Sequence, residues 1–296
     1  MAATTDDERA TASVAELGWG RRFLMCPPDH FEVSYAINYW MDPTVAVDRD
    51  RAFDQWERLA GTLRAAGATV LEIPAQPGLP DMVFTANSGI IDGTTFWPAR
   101  MLHPQRQPEI GHIRRWFVGD GWHDAAPPAA VQEGAGDALP FNDTLVAGYG
   151  SRSRRAAYDD LARRSGWAIT PLELADPRFY HIDVAFCPLD GATALIAPDA
   201  FNPRDLDTLT RLVPDPVLTT TEEAVMFCAN SVVVGRTVVM PACTPRLGRM
   251  LRHRGFDVVV CDVSEFIKAG GGCRCLTLAL DVTLAAAGPA IGEVAA

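Results

Sequence analysis

Two thiols stand on a glycine turn near the C-terminus, in GGGCRCLTL (270–278). Three consecutive glycines allow positive φ and a close approach of backbone to ligand. Cys273 or Cys275, at the mouth of the apolar run LTLAL, is therefore where a nucleophile could sit. A glycine turn that ends in a buried cysteine is also ordinary core, so the turn alone decides nothing. Four other short polar segments carry the rest of the chemistry. PDMVFTANSG (80–89) brings Asp81 and Asn87, QEGAGDAL (132–139) brings Glu133 and Asp137, FYHIDVAF (179–186) brings His181 and Asp183, and FCANSVV (227–233) brings Asn230. Charged groups rarely enter apolar runs unless they are paired or functional. A thiol, an imidazole and several carboxylates form a coherent set for nucleophilic attack with proton transfer.

Competing chemistries lack their signatures. Metal sites want clustered ligands such as CxxC pairs or HxxxH, whereas CRC has a one-residue spacing and no nearby histidine. The chain has no Walker loop, no dinucleotide fingerprint around Gly148 and Gly150, and no GxSxG elbow. The reading is of a thiol enzyme with neither metal nor cofactor.

The elements that must position these segments form a weak repeat of β-rich runs and amphipathic helices. Module one pairs FLMCPP (23–28) with a helix over 46–67 and TVLEIP (69–74). Leu59, Leu63 and Ala66 give that helix an apolar stripe beside Phe53 and Trp56, and Gly67 ends it. Module two has GIIDGTTFWP (89–98), turning at Asp92–Gly93, then a helix from Glu109 to Val118. The third pairs 144–150 and 168–174 around a helix from Arg154 to Ser165, and the fourth pairs 192–198 and 216–220 around Pro203 to Leu212. In the fifth, 231–241 and 257–263 flank a helix from Pro245 to Arg254. Five α/β modules with few long linkers predict one closed domain. If the modules circle an axis, the five polar segments between them converge on one central site.

Length and charge are compatible with this. The 296 residues, 48% hydrophobic, can bury a sizeable core. A net charge of −11 argues against nucleic acid and anionic membrane as partners and fits a cationic small molecule. Seven scattered cysteines without a secretory apolar region point to a reducing cytoplasm, and no run is long enough to span a bilayer. The polar segment 1–20 is expected to be disordered, 21–284 to form the catalytic domain and 285–296 a tail. Outward-facing helices leave a homodimer open.

The order FTAN, EGAGD, YHID and GGGCRCLTL, with CPPDHFEVSYAINYWMDP (26–43) ahead of it, resembles the guanidine-modifying superfamily. Its members include dimethylargininase, arginine deiminase, arginine dihydrolase and the amidinotransferases. The resemblance runs from about Phe23 to Asp281, and its nearest look is to bacterial dimethylargininase-like proteins. It implies the five-bladed α/β-propeller of the pentein fold, with pseudo-five-fold symmetry. It also implies a guanidino amino acid as substrate.

The resemblance assigns roles residue by residue. Cys275 matches the nucleophile, with Cys273 its rival because alternation along an extended segment would put both thiols on one face. His181 matches the general acid and base, and Asp183, read as two residues along the same strand face, holds the guanidinium. Glu133 is taken as the proton-handling carboxylate with Asp137 in support, although EGAGD is one residue longer than the EGGD of deiminases. Asp81 resembles the partner of the substrate α-ammonium, and Arg106 and Arg152 look like a clamp for its carboxylate. Asn87 stands where deiminases and dimethylargininases often carry an aspartate, while members resembling arginine dihydrolase have FTAN. Substrate and end product (citrulline or ornithine) therefore stay open. Transfer of the amidino group to an acceptor amine is the alternative to hydrolysis, and a non-catalytic guanidino-amino-acid binder is a third. Asn230 reads as a turn residue and the other cysteines as core.

Overall fold

The computed structural model describes residues 16–286. Residues 1–15 and 287–296, which hold most of the expected disordered segment (1–20) and tail (285–296), lie outside the described residues. The strands fall into five three-stranded sheets of one repeated pattern. In each, an inner strand pairs antiparallel with a middle strand, and the middle strand pairs parallel with an outer one. A parallel neighbour requires a crossover, and each module's main helix supplies it. These helices are Arg49–Ala65, Gln107–Gly119, Arg155–Ser165, Pro203–Leu212 and Pro245–His253. All five fall where the apolar periodicity predicts them. Phe53 is the exception within its stripe, 37% exposed while Trp56 is 2% exposed.

The ring closes through the chain ends. Leu278–Ala279, the inner strand of the first module, pairs antiparallel with Arg22–Met25 in the register Phe23 to Ala279 and Leu24 to Leu278. Burial follows the same radial order. The inner strands Ala138–Phe141, Phe186–Pro188, Val232–Val234 and Leu278–Ala279 are buried throughout, whereas the outer strands Thr69–Glu72, His123–Asp124 and Asp257–Val260 have no buried residue. The fold is the five-bladed α/β-propeller, and the axis runs through the inner strands.

Every polar segment singled out above leads directly into an inner strand: 80–88 into Gly89–Asp92, 132–137 into Ala138–Phe141, 179–185 into Phe186–Pro188, 227–231 into Val232–Val234, and 270–277 into Leu278–Ala279. The five segments thus lie at one end of the axis. Two local expectations differ, and two strands were not expected. LTLAL is strand only at Leu278–Ala279, because 273–276 is a turn closed by Thr277 N–H donating to the Arg274 carbonyl, 3.0 Å. His181 and Asp183 do not alternate along a strand: His181 caps the 3-10 turn Ile182–Val184. The inner strands at 138–141 and 186–188 carry no alternating pattern since both faces are buried, and each contains a proline that reads as a breaker.

Candidate active site

The glycine turn is a steric requirement as well as a flexible one. A Cβ on Gly271 would lie 2.1 Å from the Phe84 ring, and one on Gly272 would lie 2.7 Å from Asn230 Oδ1. The packing they permit brings Asn230 against the turn. Its Oδ1 accepts from the backbone N–H groups of Arg274 (3.1 Å) and Cys275 (3.3 Å), while its Nδ2 donates to the Asp183 carbonyl (2.9 Å) and to Cys275 Sγ (3.2 Å). Cys275 Sγ in turn donates to Asp183 Oδ2 at 3.4 Å. The two thiols face different surroundings. Both pack in the largest apolar cluster, but Cys273 Sγ reaches the Cys261 carbonyl, at 3.9 Å, and no carboxylate or amide side chain among the described residues. The turn between them, unlike an extended segment, splits the pair.

Burial sets the ionisation of this group. It pushes the Cys275 thiol well above its ordinary range, with the Asp183 carboxylate adding to the rise. Asp183 is pushed up to about 7 by burial, against the opposing pull of Arg274 and of the bonds from Cys275 and Asn230. Asp183 Oδ1 has no hydrogen-bond partner among the described residues, and neither has Asp81 Oδ1. A buried carboxylate oxygen without a donor is costly. Two of them in one region mark where a cationic group would be held.

A second group is centred on Glu133, which is fully buried. Its Oε2 accepts from Arg152 Nη1 (2.8 Å) and meets His181 Nε2 at 2.7 Å, and its Oε1 accepts from the Leu102 N–H at 2.9 Å. Burial alone would raise its pKa, but the Arg152 guanidinium and the His181 hydrogen bond outweigh burial and hold Glu133 well below the usual carboxylate range. Burial lowers His181 to about 4 against the opposing bond to Glu133, so the imidazole is neutral at pH 7. With Nε2–H donating to an ionised Glu133, the basic nitrogen is Nδ1. Asp137 lies behind this pair, 4.0 Å from His181 Nε2, accepting from Ser153 Oγ (2.6 Å) and from the Ile182 N–H (3.2 Å). Burial raises it well above the ordinary range, with the Glu133 charge adding to the rise.

Asn87 joins the groups. Its Nδ2 donates to the Glu133 carbonyl (3.2 Å) and lies 3.4 Å from His181 Nδ1, while its Oδ1 accepts from Arg106 Nη1 at 2.8 Å. Gly136 makes room for it, since a Cβ there would meet Asn87 Nδ2 at 2.1 Å. Arg106 also forks onto Glu109 through Nε and Nη2, both at 3.0 Å, and its Nε lies 3.9 Å from Asp81 Oδ2. Asp81 Oδ2 accepts from Tyr35 Oη at 2.9 Å. The Cys275 group is tied to the Asn87 group through the Ala86 N–H, which donates to the Cys275 carbonyl, and to the Glu133 group through the shared turn of His181 and Asp183. All nine residues singled out from the sequence are buried in this region.

Both arginines expected as a carboxylate clamp are turned inward. Arg152 serves Glu133 and the Ile37 carbonyl (3.0 Å), and Arg106 serves Glu109, Asn87 and the Asp81 carbonyl. Sequence reasoning did not single out Glu109, Tyr35 or Ser153, and it gave Asn230 only a turn. Glu109 lies three residues beyond Arg106 at a helix start, a spacing that could have suggested the pair. Nothing local marks Tyr35 or Ser153. Among the described residues no group of three or more His, Cys, Asp or Glu side chains could hold a metal ion.

A family model described as N,N dimethylarginine dimethylhydrolase, eukaryotic, matches residues 28–282 of the chain. The chain belongs to the dimethylarginine dimethylhydrolase family. It is 39% identical over 258 residues to the N(G),N(G)-dimethylarginine dimethylaminohydrolase of Mycobacterium tuberculosis, covering 87% of this chain and 85% of that one. It is 40% identical over 263 residues to the bifunctional arginine dihydrolase/ornithine cyclodeaminase AgrE of a Nostoc species, where the same 87% of the chain spans 37% of the relative. Among solved structures it resembles the N-terminal domain of ArgZ, an arginine dihydrolase from the ornithine-ammonia cycle in cyanobacteria, seen as a cysteine-to-serine mutant bound to substrate. That match has a TM-score of 0.85 and 36% identity over 90% of this chain and 99% of that domain. Relatives of the chain are thus named both as a dimethylarginine dimethylaminohydrolase and as arginine dihydrolases. Among the described residues no helix is long and apolar enough to cross a membrane.

Proposed function

We propose that this family member is a thiol hydrolase of the guanidino group of free arginine, carrying it past citrulline to ornithine. The observation that carries the reading is the buried pair of Cys275 and Asp183, with an orphan carboxylate oxygen on Asp183 and the neutral His181 bonded to an ionised Glu133. A guanidinium docked on Asp183 lies beside the thiol. Its charge offsets the burial that keeps Cys275 protonated, so ligand and thiolate favour one another. The Cys275 proton passes to His181 Nδ1 as the thiolate adds to the guanidinium carbon; the C–N bond to a terminal nitrogen then breaks, and that nitrogen leaves as ammonia with the proton that His181 Nδ1 took up. Water gives a proton to His181, adds to the S-alkylthiouronium carbon and expels the thiolate, which releases citrulline. Asp137 supports the acid–base pair from behind. Asp81, with its unpartnered Oδ1, suits the α-ammonium of the substrate. Arg152 and Arg106 act by holding Glu133 and Asn87, and reach the substrate carboxylate only if a ligand draws them from those partners.

Asn87 supports the continuation to ornithine. Citrulline presents an uncharged ureide, whose oxygen takes a hydrogen bond from an amide N–H and is repelled by a carboxylate. The Asn87 donor at 3.4 Å from His181 Nδ1 is long enough to be given over to such an oxygen. A second addition of the thiolate to the ureide carbon expels the second ammonia. Water then cleaves the resulting thiocarbamate to a carbamic acid that loses carbon dioxide. The whole is arginine plus two waters giving ornithine, two ammonia and carbon dioxide.

A second reading, hydrolysis of dimethylarginine that stops at citrulline, is favoured by the family model and the mycobacterial relative. Incubation with arginine, dimethylarginine and citrulline separates the two. Ornithine from both arginine and citrulline is expected, whereas dimethylamine with citrulline accumulating refutes the dihydrolase reading. An added acceptor amine should leave the products unchanged, since transfer of the amidino group would instead give a new guanidino compound. Residues 21–284 act as one catalytic domain on this reading, supported by the pairing of the first and last strands. A reducing cytoplasm suits the seven free cysteines.

A further inference from the structure

A buried sulfur that becomes a thiolate needs a hydrogen-bond donor, and the groups about Cys275 supply few. The titratable side chains facing it are Asp183 and Tyr180 from the segment 179–185, and Cys273 and Arg274 on its own turn. Asp183 Oδ2 accepts from the thiol at 3.4 Å and, when ionised, repels the thiolate that would replace it. Tyr180 Oη is spent on the Gly270 carbonyl at 2.7 Å, and Cys273 Sγ on the Cys261 carbonyl at 3.9 Å. The Arg274 guanidinium rests over the Trp19 ring, 5.0 Å from its centroid. The one side chain among the described residues that donates to Cys275 Sγ is Asn230, through Nδ2 at 3.2 Å.

Asn230 is fully buried, and its amide can point only one way. Oδ1 accepts from the N–H groups of Arg274 and Cys275, and Nδ2 donates to the Asp183 carbonyl at 2.9 Å. Exchanging oxygen and nitrogen would set the NH2 group against two donors and the oxygen against a carbonyl, so these partners fix the orientation. The remaining Nδ2–H faces the sulfur whether or not a ligand is bound. The backbone is held as firmly: the Asn230 N–H donates to the Phe227 carbonyl at 2.9 Å, and the Asn230 carbonyl accepts from the Arg274 N–H at 3.2 Å. Phe227 itself turns the chain at a left-handed φ of 60°, a strained conformation for a residue with a side chain, in the segment that presents Asn230.

We propose that Asn230 is a catalytic residue whose amide Nδ2–H stabilises the Cys275 thiolate while its Oδ1 fixes the turn that carries the sulfur. Its contact with the neutral thiol is weak, and it becomes a charge-assisted bond as the thiol proton passes to His181. A donor already aimed at the sulfur costs no reorganisation at that moment, so it favours the attacking form over the resting one. The inference rests on Cys275 as the nucleophile, but the effect on the thiol is read without substrate.

The test is the rate of alkylation of Cys275 by neutral chloroacetamide, quantified on its peptide by mass spectrometry across a pH series, in the parent, Asn230→Ala and Asn230→Asp. Asn230→Ser replaces the Ala variant if urea unfolding shows that the latter does not fold. Loss of the donor should raise the thiol pKa by at least about one unit. That lowers the thiolate fraction ~10-fold at any pH below the midpoint and, after the greater nucleophilicity of a more basic thiolate, the rate by ~3-fold or more. A purely structural role predicts the opposite sign in Asn230→Ala, because a loosened turn admits water to the sulfur and brings the thiol back down toward its ordinary range. It also predicts that Asn230→Asp, which keeps an oxygen for both turn N–H groups, reacts like the parent. With the donor role, Asn230→Asp is slower than Asn230→Ala, since a carboxylate then replaces the N–H against the sulfur. Equal or faster alkylation than the parent in either variant overturns the proposal. In turnover, kcat on arginine should fall ~10-fold or more in both variants. If Cys275→Ser retains turnover, the nucleophile assignment fails, while the alkylation profiles still decide whether Asn230 sets the ionisation of that thiol.

Discussion

Arginine binding should tighten as pH rises through neutrality, because the carboxylate that receives the guanidinium is half protonated there. Asp183 is held up to about 7 by burial. A cation binds its ionised form, so the apparent Kd scales as the inverse of the ionised fraction. That fraction is about one half at pH 7, about one eleventh at pH 6 and about nine tenths at pH 8 for a pKa of about 7. Affinity should therefore improve about 10-fold from pH 6 to pH 8, and binding at pH 7 should release about half a proton. Cys275→Ser blocks turnover and keeps a donor to Asp183, so isothermal titration calorimetry of that variant with arginine, in two buffers of different ionisation enthalpy, reads both quantities. Glu109 is also pushed up to about 7, by burial against its bond to Arg106, so it titrates in the same range. Asp183→Asn separates the two by abolishing affinity and its pH dependence together, whereas Glu109→Gln should leave the slope in place. Equal affinity at pH 6 and pH 8, or net proton uptake on binding, would refute the reasoning.

Other outcomes follow from the same contacts. Cys275→Ser should abolish turnover while Cys273→Ser keeps it, and chloroacetamidine should label Cys275 unless arginine protects it; a dead Cys273→Ser beside an active Cys275→Ser would reverse the assignment. Glu133→Gln strips the buried Arg152 of its anion and His181 of its acceptor, so urea unfolding should show a loss of about 3–5 kcal/mol and kcat should fall ~10²–10⁴-fold. Without ligand, the folded chain binds a proton at Asp183 that the unfolded chain has lost between about pH 4 and 7, so this group's contribution is present below pH 4 and lost as pH rises through about 7. Comparison with Asp183→Asn in denaturant titrations should show that decline, up to about 4 kcal/mol for a displacement of about three units. Asn87→Asp should cut ornithine formation from citrulline more than citrulline formation from arginine, which product analysis reads directly.

Much of the site was legible because its chemistry is concentrated in five short segments, each set before a buried strand. Charged residues in such places need partners, and the order of the segments carried the family resemblance. The helices were legible too, since each presents one apolar stripe to the sheets and polar residues to solvent. The inner strands at Ala138–Phe141 and Phe186–Pro188 were not, because a strand buried on both faces has no alternation to betray it.

Spacing left Cys273 and Cys275 equivalent under an extended backbone. The turn through residues 273–276 separates them, and it exists because Asn230, from another module, accepts from two of its N–H groups. Likewise the sequence by itself determined that two arginines accompany the carboxylates. Only the tertiary structure turned Arg152 onto Glu133 and Arg106 onto Glu109 and Asn87, since a buried guanidinium takes the nearest acceptors that fold with it. Residue types and their order thus determined the set of groups and the five-module plan. The packing of distant modules decided which group pairs with which, and so which carry charge.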